Sequence, residues 1–147
     1  MKTKLIPIVL LLLTSVVGVN ANTIISNQNI NVEKLIKDQI EAKYNDAVIV
    51  ETETENNQIK VDIIHQQKEK DVLFNNQGVW QSTKYDMPKS ELPKKIKEVI
   101  ENSKYSSYKI SDVEVIETPS KNIYEIELDK FFSDEITIYV TLDGKIL

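Results

Sequence analysis

The sequence contains no cysteine and no arginine, and it has a single histidine, His65, and a single tryptophan, Trp80. Without cysteine, the chain cannot form disulfide scaffolds, iron–sulfur clusters, thiolate zinc sites or a cysteine nucleophile. One histidine argues against a multi-histidine metal site, and no spacing assigns a serine and an aspartate to it as a catalytic triad. With only three glycines, there is also no glycine-rich phosphate loop. These absences leave few routes to catalysis.

The residues that are present are typical of a small globular protein. The chain has 147 residues, of which 41% are hydrophobic and 28% are charged, enough for one domain or two very small ones. Its 18 basic residues, all lysines, are outnumbered by 23 acidic residues. Proteins that bind nucleic acid usually show the opposite balance, so the sequence predicts no nucleic-acid partner.

Residues 1–21 have the pattern of a secretory signal peptide. Lys2 and Lys4 precede an apolar run from Leu5 to Val19, and Ala21 ends a segment that fits signal cleavage. The run has about 15 residues, fewer than the roughly 20 that a membrane-spanning helix needs. No cysteine follows it, which excludes lipid attachment at a bacterial lipobox. We therefore expect a periplasmic or extracellular protein without a membrane anchor after cleavage.

The remainder of the chain contains an internal repeat. A polar, asparagine-rich segment at 22–31 is predicted to be a loose arm, and two similar units follow at 32–86 and 87–147. The segments 35–44 and 95–105 match each other, and so do the segments 57–63 and 122–128. Two copies at this long period indicate a tandem duplication of a small unit rather than a solenoid.

Each unit is predicted to begin with a helix and to continue with strands. Apolar residues recur at helical spacing in the opening segments and at every second position afterwards. The two helical stripes are Val32, Leu35, Ile36 and Ile40 in the first unit, and Leu92, Ile96, Val99 and Ile100 in the second. Gly78 and Gly144 occupy matching hairpin turns that need positive φ. The predicted fold is α+β: a helix plus four antiparallel strands, twice, with both helices on one face of a mostly antiparallel sheet.

Two helices with one apolar stripe each can cover only one face of that sheet. The positions predicted on the uncovered face are Lys60, Asp62, Glu125, Glu127, Asp129, Thr137, Tyr139 and Thr141, with Leu73 by strand parity and Trp80 if its strand keeps that register. Tyrosine and tryptophan are frequent at the centres of protein interfaces. This acidic face is therefore a candidate docking surface, with Tyr139, Trp80, Leu73, Glu125 and Glu127 as candidate contacts. The same pattern also fits an ordinary solvated sheet face.

The paired carboxylates do not indicate an enzyme. Acids that alternate along a strand, such as Glu125 and Glu127, point to solvent side by side, whereas a glycosidase needs two carboxyl groups facing each other across a cleft. The sequence also lacks the DxDxDG loop typical of calcium sites. It therefore predicts no catalytic residue, no metal ligand and no cofactor. Binding of a small ligand or a cation by the acidic strands stays open as the alternative function.

Several short motifs add a family resemblance. They are Phe74 with Gly78-Val79-Trp80, Leu92-Pro93 before the second helix, Tyr105 after it, Tyr124-Glu125-Ile126-Glu127-Leu128, and Leu142-Asp143-Gly144. Together they resemble the PepSY-like, β-lactamase-inhibitor-like (BLIP-like) secreted proteins of Bacteroides-type bacteria, over residues 32–147. The resemblance implies a tandem helix-plus-four-strand fold with two sheets side by side and the helices behind them.

The resemblance also has implications for function. Relatives of this kind suggest binding proteins, including inhibitors of secreted hydrolases, rather than enzymes. The partner that this implies is a secreted or cell-envelope protein. No inhibitory loop in the sequence matches, so the resemblance transfers no inhibitory residue to this chain.

Overall fold

The computed structural model describes residues 25–130 and 134–147, and the predicted signal peptide lies outside them. The elements are α1 (Ile25–Lys43), β1 (Val48–Glu55), β2 (Gln58–His65), β3 (Lys68–Asn75), β4 (Trp80–Asp86), a 3₁₀ turn (Lys89–Glu91), α2 (Lys94–Glu101), β5 (Lys109–Glu117), β6 (Asn122–Asp129) and β7 (Ile136–Thr141). The order is thus a helix with four strands, then a helix with three. No helix in the described ranges is both long and apolar enough to cross a membrane.

The seven strands form one antiparallel sheet in chain order, from β1 to β7. Both helices pack on the same face of this sheet, which confirms the predicted α+β class and the one-sided arrangement. The sheet is continuous and not split into two, because β4 pairs directly with β5 from Thr83 opposite Glu117 to Asp86 opposite Glu114.

The second half of the chain has one strand fewer than predicted. After the turn at Gly144, the chain makes only a single β-bridge, between Val140 and Ile146, and the Leu147 N–H donates to the Tyr139 carbonyl at 2.9 Å. The two halves therefore differ in strand number, and the tandem duplication stays a prediction.

Part of the predicted loose arm is helical. The arm was expected over 22–31, but α1 begins at Ile25. Residues 25–31 contain no glycine or proline, the two residues that most strongly oppose helix formation. The polar side chains of the segment suggested a loop, but its residue types do not prevent a helix.

Two hydrophobic clusters lie side by side between the sheet and the helices. Ile36, Ile40 and Tyr44 of α1 pack on Val61, Ile63, Val72 and Phe74. The second cluster contains Ile96 and Ile100 of α2 and Leu92, which precedes this helix. They pack on strand residues Val113, Val115, Tyr124, Ile126, Leu128, Ile138 and Val140. All of these strand residues lie on one side of the sheet, called the helix face below. The alternate positions form the opposite side, called the open face.

The two predicted glycine turns have the backbone conformation that they require. Gly78 has φ +76° and Gly144 has φ +87°, in the region that other L-residues rarely adopt. Gly144 is also restricted by packing, since a Cβ atom there would lie 2.9 Å from a methyl carbon of Val99. This turn therefore sets the close approach of the C-terminal hairpin to α2.

Candidate docking face

The last strands bring three of the predicted contact residues together on the open face. Glu125 of β6 is the cross-strand partner of Tyr139 of β7, and Glu127 is the partner of Thr137. On the other side of β6, Glu114 of β5 lies opposite Glu125. Tyr139 is half-buried, and burial raises the pKa of its hydroxyl, with the charges of Glu125 and Glu114 adding to the effect. The result is an aromatic ring bordered by carboxylates.

Leu73 also lies on the open face, but it is remote from Tyr139. It is paired with Lys60 on β2 and with Ser82 on β4. Tyr139 is four strands further along the sheet. With neighbouring strands about 4.8 Å apart, the two positions are separated by roughly 19 Å. Leu73 could therefore meet only the periphery of a partner centred on Tyr139.

Trp80 is on the helix face, so its conditional placement on the open face was wrong. Strand parity counted back from Lys84 would put Trp80 on the open face. A bulge intervenes, because Leu73 pairs with Ser82 whereas Phe74 pairs with Trp80, which leaves Gln81 as an extra residue in β4. Trp80 consequently packs against the first hydrophobic cluster. It cannot share a docking surface with Tyr139.

An ion-pair network around Lys84 occupies the centre of the open face. The Lys84 ammonium lies 2.6 Å from Glu114 Oε2 and 3.1 Å from Glu125 Oε2. Glu125 is only 6% exposed. Burial lowers the pKa of Lys84, but the hydrogen bonds and charges of the two carboxylates outweigh it, so the pKa lies above its ordinary value. Burial also raises the pKa of Glu114 more than Lys84 lowers it.

Sequence reasoning missed this network, although a signal for Lys84 was present. The residues Thr83-Lys84-Tyr85 alternate in the same way as the strand residues that were assigned to the open face. What the sequence could not supply was the partner of Lys84. Glu114 is on β5, which is separated from β4 in the chain by the whole of α2.

The open face is acidic, as the strand pattern predicted. A second lysine, Lys60, lies 2.9 Å from Asp62 Oδ1 and 3.3 Å from Asp71 Oδ2. On β2–β6, the open face carries three lysines and nine acidic residues. The lysines are Lys60, Lys84 and Lys109, and the acids are Asp62, Glu69, Asp71, Asp86, Asp112, Glu114, Glu125, Glu127 and Asp129. Across the described ranges, no three acidic or histidine side chains are grouped as metal ligands.

The helix face has its own polar group between the two helices, called the inter-helix cluster below. The Tyr44 hydroxyl lies 2.8 Å from Thr83 Oγ1 and 3.1 Å from Glu117 Oε2, and the Tyr85 hydroxyl donates to Glu117 Oε1 at 3.1 Å. The Lys43 ammonium is 3.1 Å from Glu117 Oε2. This cluster links α1 to β4 and β5, and so joins the two halves of the chain.

Ionisation in the inter-helix cluster follows from burial and from Glu117. Burial raises the pKa of Tyr85 to about 12, with Glu117 adding to the shift, and raises the pKa of Tyr44 still further. Burial also opposes ionisation of Glu117, but Lys43 and the two tyrosine hydroxyls outweigh it and hold the pKa of this carboxyl below its ordinary value. The carboxylate is therefore the stable form of Glu117.

Residues 60–147 match the family described as "Putative beta-lactamase-inhibitor-like, PepSY-like". The chain belongs to this PepSY-like family. The match includes β2 from Lys60 onward, all of β3–β7 and α2, and therefore most of the open face. None of the curated proteins matches the chain.

Solved structures with the same fold come from Bacteroides species. A BLIP-like protein from Bacteroides fragilis has a TM-score of 0.68 and 20% identity, covering 78% of this chain and 82% of its own. A DUF2874 family protein from Bacteroides uniformis has a TM-score of 0.68 and 19% identity, covering 77% and 84%. A structure from Bacteroides eggerthii, named "putative periplasmic proteins", has a TM-score of 0.66 and 17% identity, covering 77% and 84%. These similarities show that the PepSY-like chain shares their fold.

Replacing Glu117 with glutamine is expected to destabilise this PepSY-like protein by about 1 kcal/mol at neutral pH, because the amide cannot replace the charged interactions of the carboxylate. A carboxyl whose pKa is depressed in the folded state stabilises the protein at any pH above its ordinary pKa of 4.5. This stabilisation disappears as the pH falls through the lower pKa of the folded state. The difference between wild type and variant should therefore shrink below pH 4.5. Urea unfolding at several pH values measures it, and a difference that grows toward acid pH would contradict the assignment.

Proposed function

We propose that this protein is a non-catalytic binding protein that holds a protein partner on its open face, centred on Tyr139. The observation that carries the proposal is a broad sheet face, free of helices over the described residues, with an aromatic side chain fixed beside buried Glu125. Tyrosine is enriched among the residues that dominate binding energy, since it buries a large ring and keeps a polar hydroxyl. The acidic surroundings favour a partner with a basic contact surface.

The export pattern and the relatives support a location outside the cytoplasm. The sequence begins with a signal-like segment, and one structural neighbour carries the name "putative periplasmic proteins". We therefore assign the protein to the periplasm or the extracellular space, and its partner to the secreted or cell-envelope proteins. Inhibition of a secreted hydrolase is the narrower form of this proposal, supported by the BLIP-like fold.

The carboxylates of the open face support binding rather than catalysis. Glu114 and Glu125 share the ammonium of Lys84 and do not face each other across a cleft. A general acid would need an apolar pocket of its own, and a nucleophile would need a substrate between the two carboxyl groups. The cation-binding alternative gains no support from the described ranges, in which no metal-ligating group of three forms.

Site-specific photo-crosslinking tests the proposal. A photoreactive phenylalanine analogue in place of Tyr139 is expected to give a discrete crosslinked product in the native organism, with the partner identified by mass spectrometry. The matched control places the same analogue at Tyr108, a half-buried tyrosine that packs on the helix side of the sheet. The control should give no product of the same mass.

The substitution Tyr139→Ala should then weaken binding of the purified partner about tenfold or more, as expected for a central interface aromatic. The substitution Tyr108→Ala should leave the affinity unchanged. Equal effects of the two substitutions, or a partner crosslinked only from position 108, would contradict docking on the open face.

A further inference from the structure

The helix face contains a cavity that the proposed docking function does not use. Its volume is about 270 Å³, and it lies between the end of α1 and the strands β3 and β4. Its lining is mostly apolar and comprises Gln39, Ile40, Ala42, Lys43, Tyr44, Val72, Phe74 and Trp80. A cavity slightly smaller than the usual ligand pocket fits a molecule of about eight to ten carbon atoms.

The polar groups beside this cavity are predominantly cationic. The Lys43 side chain is part of the lining, and its ammonium lies 4.3 Å from the ring centre of Trp80. Lys70 is only 8% exposed, and its ammonium lies 5.6 Å from the ring centre of Tyr44, another lining residue. Two ammonium groups thus lie against or close to an apolar cavity.

Lys70 is the unusual member of this pair. Its ammonium lies 3.5 Å from the ring centre of Tyr85, and no carboxylate in the described ranges forms an ion pair with it. Burial lowers the pKa of Lys70, Lys68 and Lys43 lower it further, and Glu117 acts in the opposite direction. A lysine that is buried without a paired acid is costly, and such groups are normally compensated by an anion.

Glu117 does not balance the two cations. Its carboxylate already accepts from Tyr44 and Tyr85 and pairs with Lys43. Two ammonium groups and one carboxylate leave a positive charge at this place, whereas the chain as a whole has a formal net charge of −5. The general field of the protein repels anions, so a local positive site beside an apolar cavity is selective for an anion that also carries an apolar body.

We propose that this cavity binds a small amphipathic monocarboxylate. The apolar body would pack against Val72, Phe74 and Trp80, and the carboxylate would lie at Lys43, with Lys70 contributing to the positive field. The cavity is on the opposite side of the sheet from Tyr139. Failure of this proposal therefore leaves the docking function unaffected, and failure of docking leaves this proposal unaffected.

The proposal is tested directly by titrating the full chain with octanoate and monitoring the titration by the fluorescence of Trp80. Trp80 is the only tryptophan in the sequence and it lines the cavity, so its emission reports on this place alone. Octanoate below its micelle concentration is expected to give a saturable change with a Kd of about 1 mM or lower, as a ligand of this size allows. Octylammonium, which has the same chain and the opposite charge, should bind at least about tenfold more weakly.

Three variants locate the site. Lys43→Met should weaken octanoate binding about tenfold, because it removes the charge-assisted contact. Ala42→Leu should abolish binding by filling the cavity from an exposed position on α1, where leucine is a good helix former. Lys37→Met, an exposed lysine on the same helix outside the lining, is the control and should bind octanoate as the wild type does.

The outcomes are decisive in both directions. If octanoate gives no saturable signal, or if octanol and octylammonium bind as well as octanoate, the carboxylate site does not exist. If Ala42→Leu keeps wild-type affinity, the ligand binds elsewhere and the proposal is overturned. Circular dichroism checks that each variant is folded, and if Lys43→Met fails that check, Ala42→Leu together with octylammonium still decides the question.

Discussion

Replacing Ile126 with alanine is expected to lower the free energy of unfolding by about 3–4 kcal/mol. Ile126 is fully buried in the middle of β6 and belongs to the cluster beneath α2. Truncation removes apolar contacts and leaves a cavity that the paired strands on both sides cannot close. Urea denaturation followed by circular dichroism gives the change.

The exposed residue Leu142 is the matched control for Ile126. It is a similar aliphatic side chain that is 54% exposed, so Leu142→Ala should change the free energy of unfolding by less than about 0.5 kcal/mol. The comparison also tests the orientation of β6. A loss below about 1 kcal/mol for Ile126→Ala would mean that Ile126 does not face the helices, and the assignment of Glu125 and Glu127 to the open face would fail with it.

Local periodicity was sufficient to predict the class of fold and the two faces of the sheet. The spacing of Ile36 and Ile40 in α1, and of Ile96 and Ile100 in α2, is that of residues buried beneath a helix, and all four are buried. The alternation around Ile126 likewise assigned the buried and open positions of β6 correctly. These patterns are local, since each depends only on residues a few positions apart.

The turns show where this local reasoning ended. Gly78 and Gly144 marked two of them, but the β1–β2 and β2–β3 hairpins turn at Asn56-Asn57 and Gln66-Gln67, all with positive φ. Asparagine tolerates this conformation well, whereas glutamine has no such preference. The second hairpin is therefore imposed by the pairing of its strands and not by the chemistry of its turn residues.

Trp80 shows how tertiary contacts can overrule strand parity. The bulge at Gln81 turns the indole to the helix face, where its N–H donates to Thr83 Oγ1 at 3.0 Å and Lys43 lies over the ring. The backbone N–H of Trp80 also donates to the Gln39 side chain of α1. Gln39 and Lys43 are about 40 residues away in the sequence, so a pattern of alternating residues in β4 cannot reveal their contacts with Trp80.

The sequence was sufficient to predict which residues of β6 and β7 lie on the candidate docking face. It was not sufficient to predict the ion pairs that hold this face together. Tyr139, Glu125 and Glu127 were assigned correctly to one face because each strand was considered separately. The central role of Lys84 depends on the pairing of β4 with β5, a contact between the two halves. The pairing of β4 with β5 also places Thr83 opposite Glu117 in the inter-helix cluster. Because this pairing makes the sheet continuous, the docking face and the cavity lie on opposite sides of one sheet.

Replacing Lys84 with methionine is expected to lower the free energy of unfolding by about 2 kcal/mol at neutral pH. The loss of one partner from a buried ion pair costs about 3–5 kcal/mol, and partial exposure of Lys84 reduces that figure here. Without the ammonium, Glu114 and Glu125 are left as neighbouring like charges on adjacent strands, with little access to water. Urea unfolding of wild type and variant in parallel measures the difference.

The pH dependence and a second substitution distinguish this explanation from simple loss of packing. The pKa of Glu114 is already raised by burial, and without Lys84 it rises further, so the folded variant takes up a proton more readily than the unfolded chain. The difference from wild type should therefore shrink as the pH falls, and the double variant Lys84→Met with Glu125→Gln should recover part of the loss. Lys121→Met, in an exposed turn, is the control and should have no measurable effect. A loss that is independent of pH and unaffected by Glu125→Gln would mean that methionine disturbs packing and that the ion network does not organise the open face.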